Sequence, residues 1–272
     1  MKTYYFIFSK TDLLLQRLSD GKYTIPCTEE TPVKTHAWTH IMEVSPMENG
    51  TLVKTLMLED PQHVEITDPE LRTSSFDFVG LRASFYHLST ELYLKAGKCQ
   101  ELLYWNHNTQ FCGVCGAPMK MHTIISKRCT QCGKEVWPQL ATAIIVLIHR
   151  GDEVLLVHAK NFKGDFYGLV AGFVETGETL EQAVHREVME ETGLTINNLH
   201  YFGSQPWPYP CGLMVGFNAD YVEGEVHLQR SELSHGSWFR YNALPRIPQR
   251  LSIARMILDD WLKGYGIVSE QE

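Results

Sequence analysis

Three glutamates near one another in the sequence could bind a divalent metal ion. Glu187, Glu190 and Glu191 are spaced so that an α-helix would place their side chains on neighbouring positions of its surface. Like charges at this spacing repel, so we expect a cation beside them. Carboxylate oxygens are hard ligands and favour Mg²⁺ or Mn²⁺ over Zn²⁺. The pattern predicts a divalent metal site, and phosphate is the natural substrate group for such a site.

The helix that carries these glutamates has clear predicted ends. Thr179 and Gln182 form a capping-box pattern that begins a helix, and Gly193 suits the position just after its end. The apolar side chains of its first half continue at helical spacing into Glu187 and Glu191. The alternative is a solvated acidic face, which is the usual meaning of a run of charges. Continuation of the apolar stripe into the acids favours the metal site.

Four cysteines form a second candidate metal site. Cys112 and Cys115 make one CxxC pair and Cys129 and Cys132 another, each followed by glycine. Two such pairs place four thiolates within tetrahedral reach of one Zn²⁺, and a closed shell of four cysteines predicts a structural ion. The basic residues nearby are Lys120, Lys127, Arg128 and Lys134. They either offset the thiolate charge, which we favour, or form a nucleic-acid-binding ribbon.

The composition limits the class of protein that carries these acidic and cysteine clusters. The chain has 272 residues, 44% of them hydrophobic, which predicts about two folded domains and excludes a disordered or fibrous chain. The net charge of −8 leaves no broad basic surface for nucleic acid. The longest apolar stretch, 143–148, is too short to cross a membrane. We expect no membrane partner and a cytoplasmic location.

The elements on either side of the cysteines differ. Residues 1–108 alternate short apolar runs with turns, which predicts a mixed α/β domain with antiparallel strands and a helix over 81–96 that stops at Gly97. Residues 109–139 form the predicted zinc ribbon. After residue 140, two β-branched runs are joined by 149–152, which is a hairpin signal.

The acidic segment resembles the Nudix box, the signature of the Nudix hydrolases, at every defined position. The matching residues are Gly172, Glu178, Arg186, Glu187, Val188, Glu190, Glu191, Gly193 and Leu194. The resemblance implies an α/β/α sandwich with a mixed sheet over 140–265. It also implies hydrolysis of a nucleoside diphosphate linked to another group.

The same resemblance assigns roles to single residues. Glu187 and Glu191 would be the principal metal ligands, and Glu190 a further ligand or a base. Arg186 and Glu178 would form a structural ion pair. Two further ligands, the carbonyl of Ala171 and the acidic side chain of Glu232, are implied from outside the helix.

A proline-rich segment, SQPWPYP at 204–210, narrows the substrate. Alternate prolines remove backbone donors, so we expect a stiff extended loop rather than a central strand. Such a loop either presents Trp207 and Tyr209 to a ligand or is a rigid turn whose aromatic rings pack inward. The segment resembles the SQPWPFP signature of the NADH pyrophosphatase branch, which also has a Cys₄ ribbon and a divergent N-terminal domain. Tyr209 and Gly212 depart from the usual phenylalanine and serine.

The branch resemblance implies a larger set of substrate-binding residues. They are Trp137, Phe173, Gln205, Pro206, Trp207, Pro208, Tyr209, Pro210, Cys211, Gly212 and Ala254. Phe173 would stack on nicotinamide or serve as a core aromatic residue, and Trp137 could reach a partner subunit.

The resemblance as a whole implies a Mg²⁺- or Mn²⁺-dependent homodimer with one structural Zn²⁺ per chain. It would split NAD(H) into nicotinamide mononucleotide and AMP, and would remove NAD caps from RNA. Two alternatives remain: a broader dinucleotide or ADP-ribose pyrophosphatase, and a non-catalytic Nudix-type sensor with a nucleic-acid-binding ribbon. Three intact glutamates argue against the sensor.

Overall fold

The computed structural model describes residues 1–59, 64–162 and 164–267. The chain divides into two compact units: Met1–Gln139 with Pro208–Cys211, and Leu140–Trp207 with Gly212–Glu272. Within the described ranges, no helix is both long enough and apolar enough to span a bilayer.

A twisted sheet forms the core of the first unit. Its strands are β1 (Thr3–Ser9), β2 (Asp12–Arg17), β3 (Tyr23–Thr24), β4 (Cys27–Thr28), β5 (Met42–Val44), β6 (Leu52–Met57) and β7 (Ser75–Gly80). The main order is β3-β2-β1-β6-β5, with β4 also paired to β1 and β7 to β2. We expected antiparallel strands, but β1 and β6 are parallel. The apolar runs of β1 and β2 are buried almost completely, which makes them the centre of this core.

The helix predicted over 81–96 is wrong in its bounds. The structure has a short α1 (Leu81–Ser84) and a long α2 (Thr90–Asn108), after a single 3₁₀ turn at Pro69–Leu71. Apolar spacing continued across the break, but the side chain of Ser89 accepts a hydrogen bond from the Leu92 amide and begins a new helix.

Gly97 lies inside α2 rather than at its end. A Cβ atom at this position would lie 2.9 Å from Cγ of Pro208, which belongs to the same unit. Gly97 therefore permits a close approach between the helix and the proline-rich segment. This tertiary contact, not chain reversal, explains why a glycine stands here.

The ribbon is a small antiparallel sheet in the same unit. Its strands β8 (Met119–Thr123), β9 (Ser126–Cys129) and β10 (Glu135–Val136) lie in the order β10-β9-β8. Its apolar cluster is small and centres on Met119 with two of the cysteines. Such a small core needs additional cross-linking to be stable.

The second unit is built on a mixed sheet. Its strands are β11 (Ala141–Arg150), β12 (Glu153–Ala159), β13 (Val170–Phe173), β14 (Thr195–Trp207), β15 (Gly212–Glu223) and β16 (Leu233–Arg240). The order is β14-β15-β11-β12-β16, with β13 paired to β11. β11 and β15 run parallel and the remaining pairs are antiparallel. The hairpin predicted at 149–152 is confirmed by the pairing of β11 with β12.

Helices α3 (Leu180–Thr192) and α4 (Ile253–Lys263) cover opposite faces of this sheet. Side chains alternate along β11: Ile144 packs with the α3 cluster and Ile145 with the α4 cluster. This alternation explains the uninterrupted apolar run over 143–148 in β11, because both faces of the strand are covered there. The expected α/β/α sandwich is confirmed.

Candidate functional site

The acidic end of α3 is the chemically distinctive part of the second unit. The predicted capping box of Thr179 and Gln182 is present, and Gly193 ends the helix with a φ of 72°. These signals set the ends of α3, and the packing of its apolar residues against the sheet turns Glu191 inward while Glu190 stays exposed. Burial of this carboxylate therefore depends on the tertiary packing of the helix.

Glu191 is a buried acid without enough partners. Its residue is 4% exposed, and its Oε2 has no hydrogen-bond partner among the residues that the structure describes. Burial, together with the charges of Glu187 and Glu232, raises the pKa of Glu191 to about 8. Burial is also the main cause that raises the pKa of Glu187. The buried carboxyl therefore favours its protonated form at neutral pH, and its ionised form requires compensation by a cation.

Arg186 provides part of that compensation. Its guanidinium forms a two-pronged ion pair with Glu178, with N···O distances of 2.6 and 3.0 Å. The same group donates to Glu187 at 2.8 Å and to Glu190 at 3.3 Å. It also donates to the Phe173 carbonyl at 2.9 Å. Arg186 thereby fixes the loop before α3, the end of β13 and two of the acids in one arrangement.

Strand β13 approaches α3 closely at Gly172. A Cβ atom there would overlap the carboxylate of Glu187, so only glycine leaves space for this side chain. The preceding residue, Ala171, is half-buried and lines the same cavity as Glu191. The Nudix-box glycine therefore has a steric reason that its position in the sequence alone did not reveal.

This cavity has a volume of about 390 Å³. Its wall includes Ala171, Glu191 and Glu232, which come from β13, α3 and the loop before β16. Glu232 is held there because its backbone carbonyl accepts a hydrogen bond of 2.8 Å from the Lys160 amide. The structure therefore brings together groups that are distant in the sequence.

Sequence reasoning missed two residues of this wall, Lys160 and Phe162. Lys160 is the one cation among the described residues that line the cavity, and Phe162 stacks on Phe166 with ring centroids 4.6 Å apart. Both lie within three residues of the end of β12. The sequence signal for Lys160 was a lysine at the end of a buried strand. The residues next to it in the sequence did not indicate which cavity it would line.

The donor set fits a hard divalent cation. Its carboxylates are oxygen donors, and Glu187 and Glu232 are near enough to Glu191 to raise its pKa. Among the described residues, only the four cysteines form a group of three or more whose ligand atoms all lie within 4.8 Å of one another. The observation that argues for an ion is the Glu191 oxygen that no described residue partners, because a buried carboxylate oxygen left unpaired is costly.

The proline-rich segment differs in part from the expected loop. Residues up to Trp207 belong to β14, and only 208–211 form the turn into β15. Pro206 has no backbone N–H to donate, and it is tolerated because β14 lies at the edge of the sheet. The expectation that this segment is not a central strand is therefore confirmed. Gly212 lies opposite Trp207, where a Cβ atom would come 2.9 Å from the Trp207 carbonyl oxygen.

Gln205 is engaged within the second unit. Its Nε2 donates to the Leu251 carbonyl and its Oε1 accepts from the Ile253 amide, both at 2.7 Å. These bonds hold the beginning of α4 against β14. The structure gives Gln205 a positioning role, and its contact with substrate stays a prediction. Ala254, in the first turn of α4, is buried against the sheet.

The turn 208–211 belongs to the first unit. Pro208 is buried there, and the Tyr209 hydroxyl lies 2.8 Å from that of Tyr93 on α2. Pro210 is exposed, and Cys211 is half-buried. Part of the aromatic segment therefore packs inward, as one of the two sequence interpretations expected.

Two other predicted aromatic residues are exposed. Phe173 is 65% exposed at the end of β13 in the second unit, and Trp137 is 49% exposed after β10 in the first. Neither is a core side chain, so the interpretation of Phe173 as a core aromatic is wrong. Large exposed rings are available for stacking.

The four cysteines converge in the ribbon. Their Sγ atoms all lie within 4.8 Å of one another. The amides of Cys132 and Gln131 donate to Cys129 Sγ at 3.4 Å, and they lower the pKa of this thiol to about 6. Four soft ligands supported by backbone amides fit a tetrahedral Zn²⁺.

Comparison with known proteins gives the class first. Residues 138–259 match the NUDIX domain family model, and the fold resembles the crystal structure of a NUDIX hydrolase from Nitrosomonas europaea. That likeness has a TM-score of 0.50 at 19% identity and covers 60% of this chain and 96% of the other. The second unit is thus a Nudix domain.

The remaining matches identify the branch. Residues 107–136 match the NADH pyrophosphatase zinc ribbon domain, and residues 2–105 the NADH pyrophosphatase-like rudimentary NUDIX domain. The chain is 40% identical over 205 residues to NAD-capped RNA hydrolase NudC of Pseudomonas aeruginosa, covering 75% of this chain and 73% of the relative. It is 42% identical over 193 residues to NudC of Erwinia tasmaniensis, covering 70% and 73%. The chain belongs to the NADH pyrophosphatase family of Nudix proteins.

Proposed function

We propose that this protein is an enzyme that hydrolyses the pyrophosphate bond of NAD(H) to nicotinamide mononucleotide and AMP, and that it removes NAD caps from RNA 5′ ends. The observation that carries the hydrolase proposal is the buried carboxylate of Glu191, which lies near Glu187 and has one oxygen without a hydrogen-bond partner in the described part of the chain. The SQPWPYP segment and the NudC relatives support NAD as the substrate.

Glu187, Glu191, Glu232 and the Ala171 carbonyl would hold the catalytic Mg²⁺ or Mn²⁺. When bound, such an ion supplies an activated water and neutralises charge on the phosphate oxygens. Glu190 is exposed and only loosely paired with Arg186, so it is free to act as a further ligand or as a base.

The chain's other residues would position the substrate. The Glu178–Arg186 pair keeps the acids aligned before substrate arrives. Lys160 adds a positive charge to a wall whose other charged residues are Glu191 and Glu232, and this charge would attract a phosphate oxygen. Trp207 and Phe173 would stack on the rings of the dinucleotide, and Tyr209 would hold the turn against α2.

The domain organisation that we propose follows the chemistry: an N-terminal domain over 1–108, a ribbon over 109–139 and a Nudix domain over 140–265. The ribbon would hold one structural Zn²⁺.

Free cysteines throughout the described chain are consistent with a reducing, cytoplasmic location. We also propose a homodimer, which light scattering on the purified protein would test.

A substrate panel tests the function. We expect Mg²⁺- or Mn²⁺-dependent release of nicotinamide mononucleotide from NAD and NAD-capped RNA, and of its reduced form from NADH, with lower kcat/KM for ADP-ribose. Equal activity on ADP-ribose would favour the broader dinucleotide pyrophosphatase. Absence of turnover on every substrate with both metal ions, in protein that still binds NADH, would favour the sensor.

A further inference from the structure

Strands β12 and β16 lose their regular register next to the cavity that contains the acids. The regular pairing ends with His158 opposite His235. The next pair is Ala159 opposite Leu233, so Ser234 is an extra residue of β16. One extra residue in one strand is a β-bulge, which bends the strand and re-aims the side chains beside it. The register therefore changes just before the two strands reach the cavity wall.

This change of register decides which residues lie opposite one another at the cavity. With the extra residue, the Lys160 amide donates a hydrogen bond of 2.8 Å to the Glu232 carbonyl. Without it, the regular register would place Leu233 opposite Lys160 and would shift Glu232 by one position. A shift of one residue turns a side chain to the opposite face of a sheet. The bulge therefore sets Glu232 in the wall that Glu191 also lines.

Ser234 and His158 hold the bulge in place. Ser234 Oγ donates to the His158 carbonyl at 2.9 Å, and it also lies 2.9 Å from Nδ1 of the same histidine. The Ser234 carbonyl is engaged as well, because it accepts a hydrogen bond of 2.7 Å from Arg230. The extra residue thus makes side-chain bonds in place of the ladder bonds that a bulge interrupts, which stabilises the irregular geometry.

The His158 ring also contacts residues that follow β12. Its Nε2 donates to the Gly164 carbonyl at 2.9 Å. The ring lies edge-on to that of Phe162, with centroids 5.7 Å apart, and Phe162 lines the cavity together with Lys160. One imidazole therefore connects the residues after β12 with the bulge beside Glu232. This arrangement fixes two sides of the same cavity relative to each other.

We propose that His158 and Ser234 are positioning residues: by holding the bulge, they keep Glu232 in the register from which it would serve as a ligand of the divalent ion. The inference rests on the proposed function, because it takes Glu232 as one of the ligands. Both residues act through Glu232 and contact neither the ion nor the substrate. Residues that orient a metal ligand typically change metal affinity by about 10- to 100-fold when they are replaced.

Ser234→Ala tests the proposal, with Ser237→Ala as the matched control because Ser237 lies in the regular part of the same strand. Binding of Mn²⁺ to the zinc-loaded protein is measured by electron paramagnetic resonance of the free ion, so the result does not depend on turnover. Ser234→Ala should raise the Kd for Mn²⁺ about tenfold, and Ser237→Ala should leave it unchanged. A lower melting temperature of Ser234→Ala with an unchanged Kd would assign the bulge to the fold alone and overturn the proposal.

Two conservative variants of His158 separate its two contacts. The side-chain amide of asparagine ends near the position of Nδ1, and that of glutamine ends near the position of Nε2. His158→Asn can therefore keep the contact with Ser234, and it should bind Mn²⁺ nearly as the wild type does. His158→Gln keeps only the contact with Gly164 and should resemble Ser234→Ala. The opposite order of affinities would overturn the role of His158 at the bulge.

A double-mutant cycle with Glu232→Gln separates this inference from the proposed function. Glu232→Gln should weaken Mn²⁺ binding, and Ser234→Ala should add no further loss in that background, because it acts through Glu232. Additive losses, or a loss in Glu232→Gln with none in Ser234→Ala, would overturn the inference and leave the proposed hydrolysis standing.

Two other outcomes of the cycle concern the proposed function itself. An unchanged Kd for Mn²⁺ in Glu232→Gln would overturn the assignment of this ligand and the inference with it. Non-additive losses in a protein that hydrolyses neither NADH nor NAD would support the role of the bulge while refuting the proposed function.

Discussion

The cysteine cluster and the acidic cluster of this protein are both suited to metal ions, but they are assembled in opposite ways. All four thiols lie between Cys112 and Cys132, and their spacing alone brings them together. The acidic cluster combines residues of β13, α3 and the loop before β16, so only the folded sheet unites them. The ribbon can organise locally, whereas the acidic cluster depends on the complete Nudix domain.

The two clusters also treat negative charge differently. Backbone amides stabilise the thiolate of Cys129 and lower its pKa, whereas burial raises the pKa of Glu191. The ribbon is thus prepared for a permanent ion in a closed shell. The acidic cluster is left short of positive charge beside an open cavity, as a site that must exchange substrate requires.

Removing a thiolate should have the largest effect on stability. Cys112→Ser should lose about one zinc per chain and unfold at a lower temperature, because structural zinc contributes about 10–16 kcal/mol of apparent binding energy. Elemental analysis and thermal unfolding measure this, with Cys27→Ser as control since Cys27 lies outside the cluster. Native protein without zinc would contradict the ribbon assignment.

Removing one acid should affect chemistry rather than folding. Glu191→Gln and Glu187→Gln should each lower kcat by at least ~100-fold, because each deletes a ligand charge but little volume. Steady-state kinetics on NADH measures the loss, and Glu181→Gln, exposed on the same helix, should retain activity. Near-normal turnover of both variants at saturating Mg²⁺ would refute the metal-helix assignment.

Truncating Trp207 should affect substrate selection. Stacking on a base is worth about 1–3 kcal/mol, so Trp207→Ala should lower kcat/KM for NADH roughly 10- to 100-fold. A nucleoside diphosphate methyl ester, which has no nicotinamide, should be affected much less. The control is Trp38→Ala, because Trp38 is an exposed tryptophan of the N-terminal region. Equal losses on both substrates would mean that Trp207 only maintains the fold.

The smallest expected effect concerns pH. The pKa of Glu191 is about 8 in the folded chain against an ordinary value of 4.5, so the folded state binds the extra proton between these values. Stability without added divalent ion should therefore fall as pH rises from about 4.5 to about 8. Thermal unfolding should show a shallower fall for Glu191→Gln and a higher melting temperature near pH 8. Identical pH profiles would show that the buried carboxylate is already compensated.

Several features could be predicted from local rules because they depend on neighbouring residues. The caps of α3, the hairpin at 149–152 and the cysteine cluster all involve groups within a short span of chain. The break before α2 was missed because apolar spacing continued across it, and Gly97 was misinterpreted because its partner, Pro208, is distant in sequence. Periodicity reports which face is buried but not what packs against it.

The sequence by itself determined the chemistry available to this protein: oxygen ligands on one helix, sulfur ligands on one ribbon and aromatic rings on a proline-rich segment. Only the tertiary structure decided which groups act together. It buried Glu191 near Glu187 and set Lys160 in the same cavity as Glu232. The physical reason is that burial and electrostatic coupling depend on distances through space, which residue spacing along the chain fixes only within a single helix or turn.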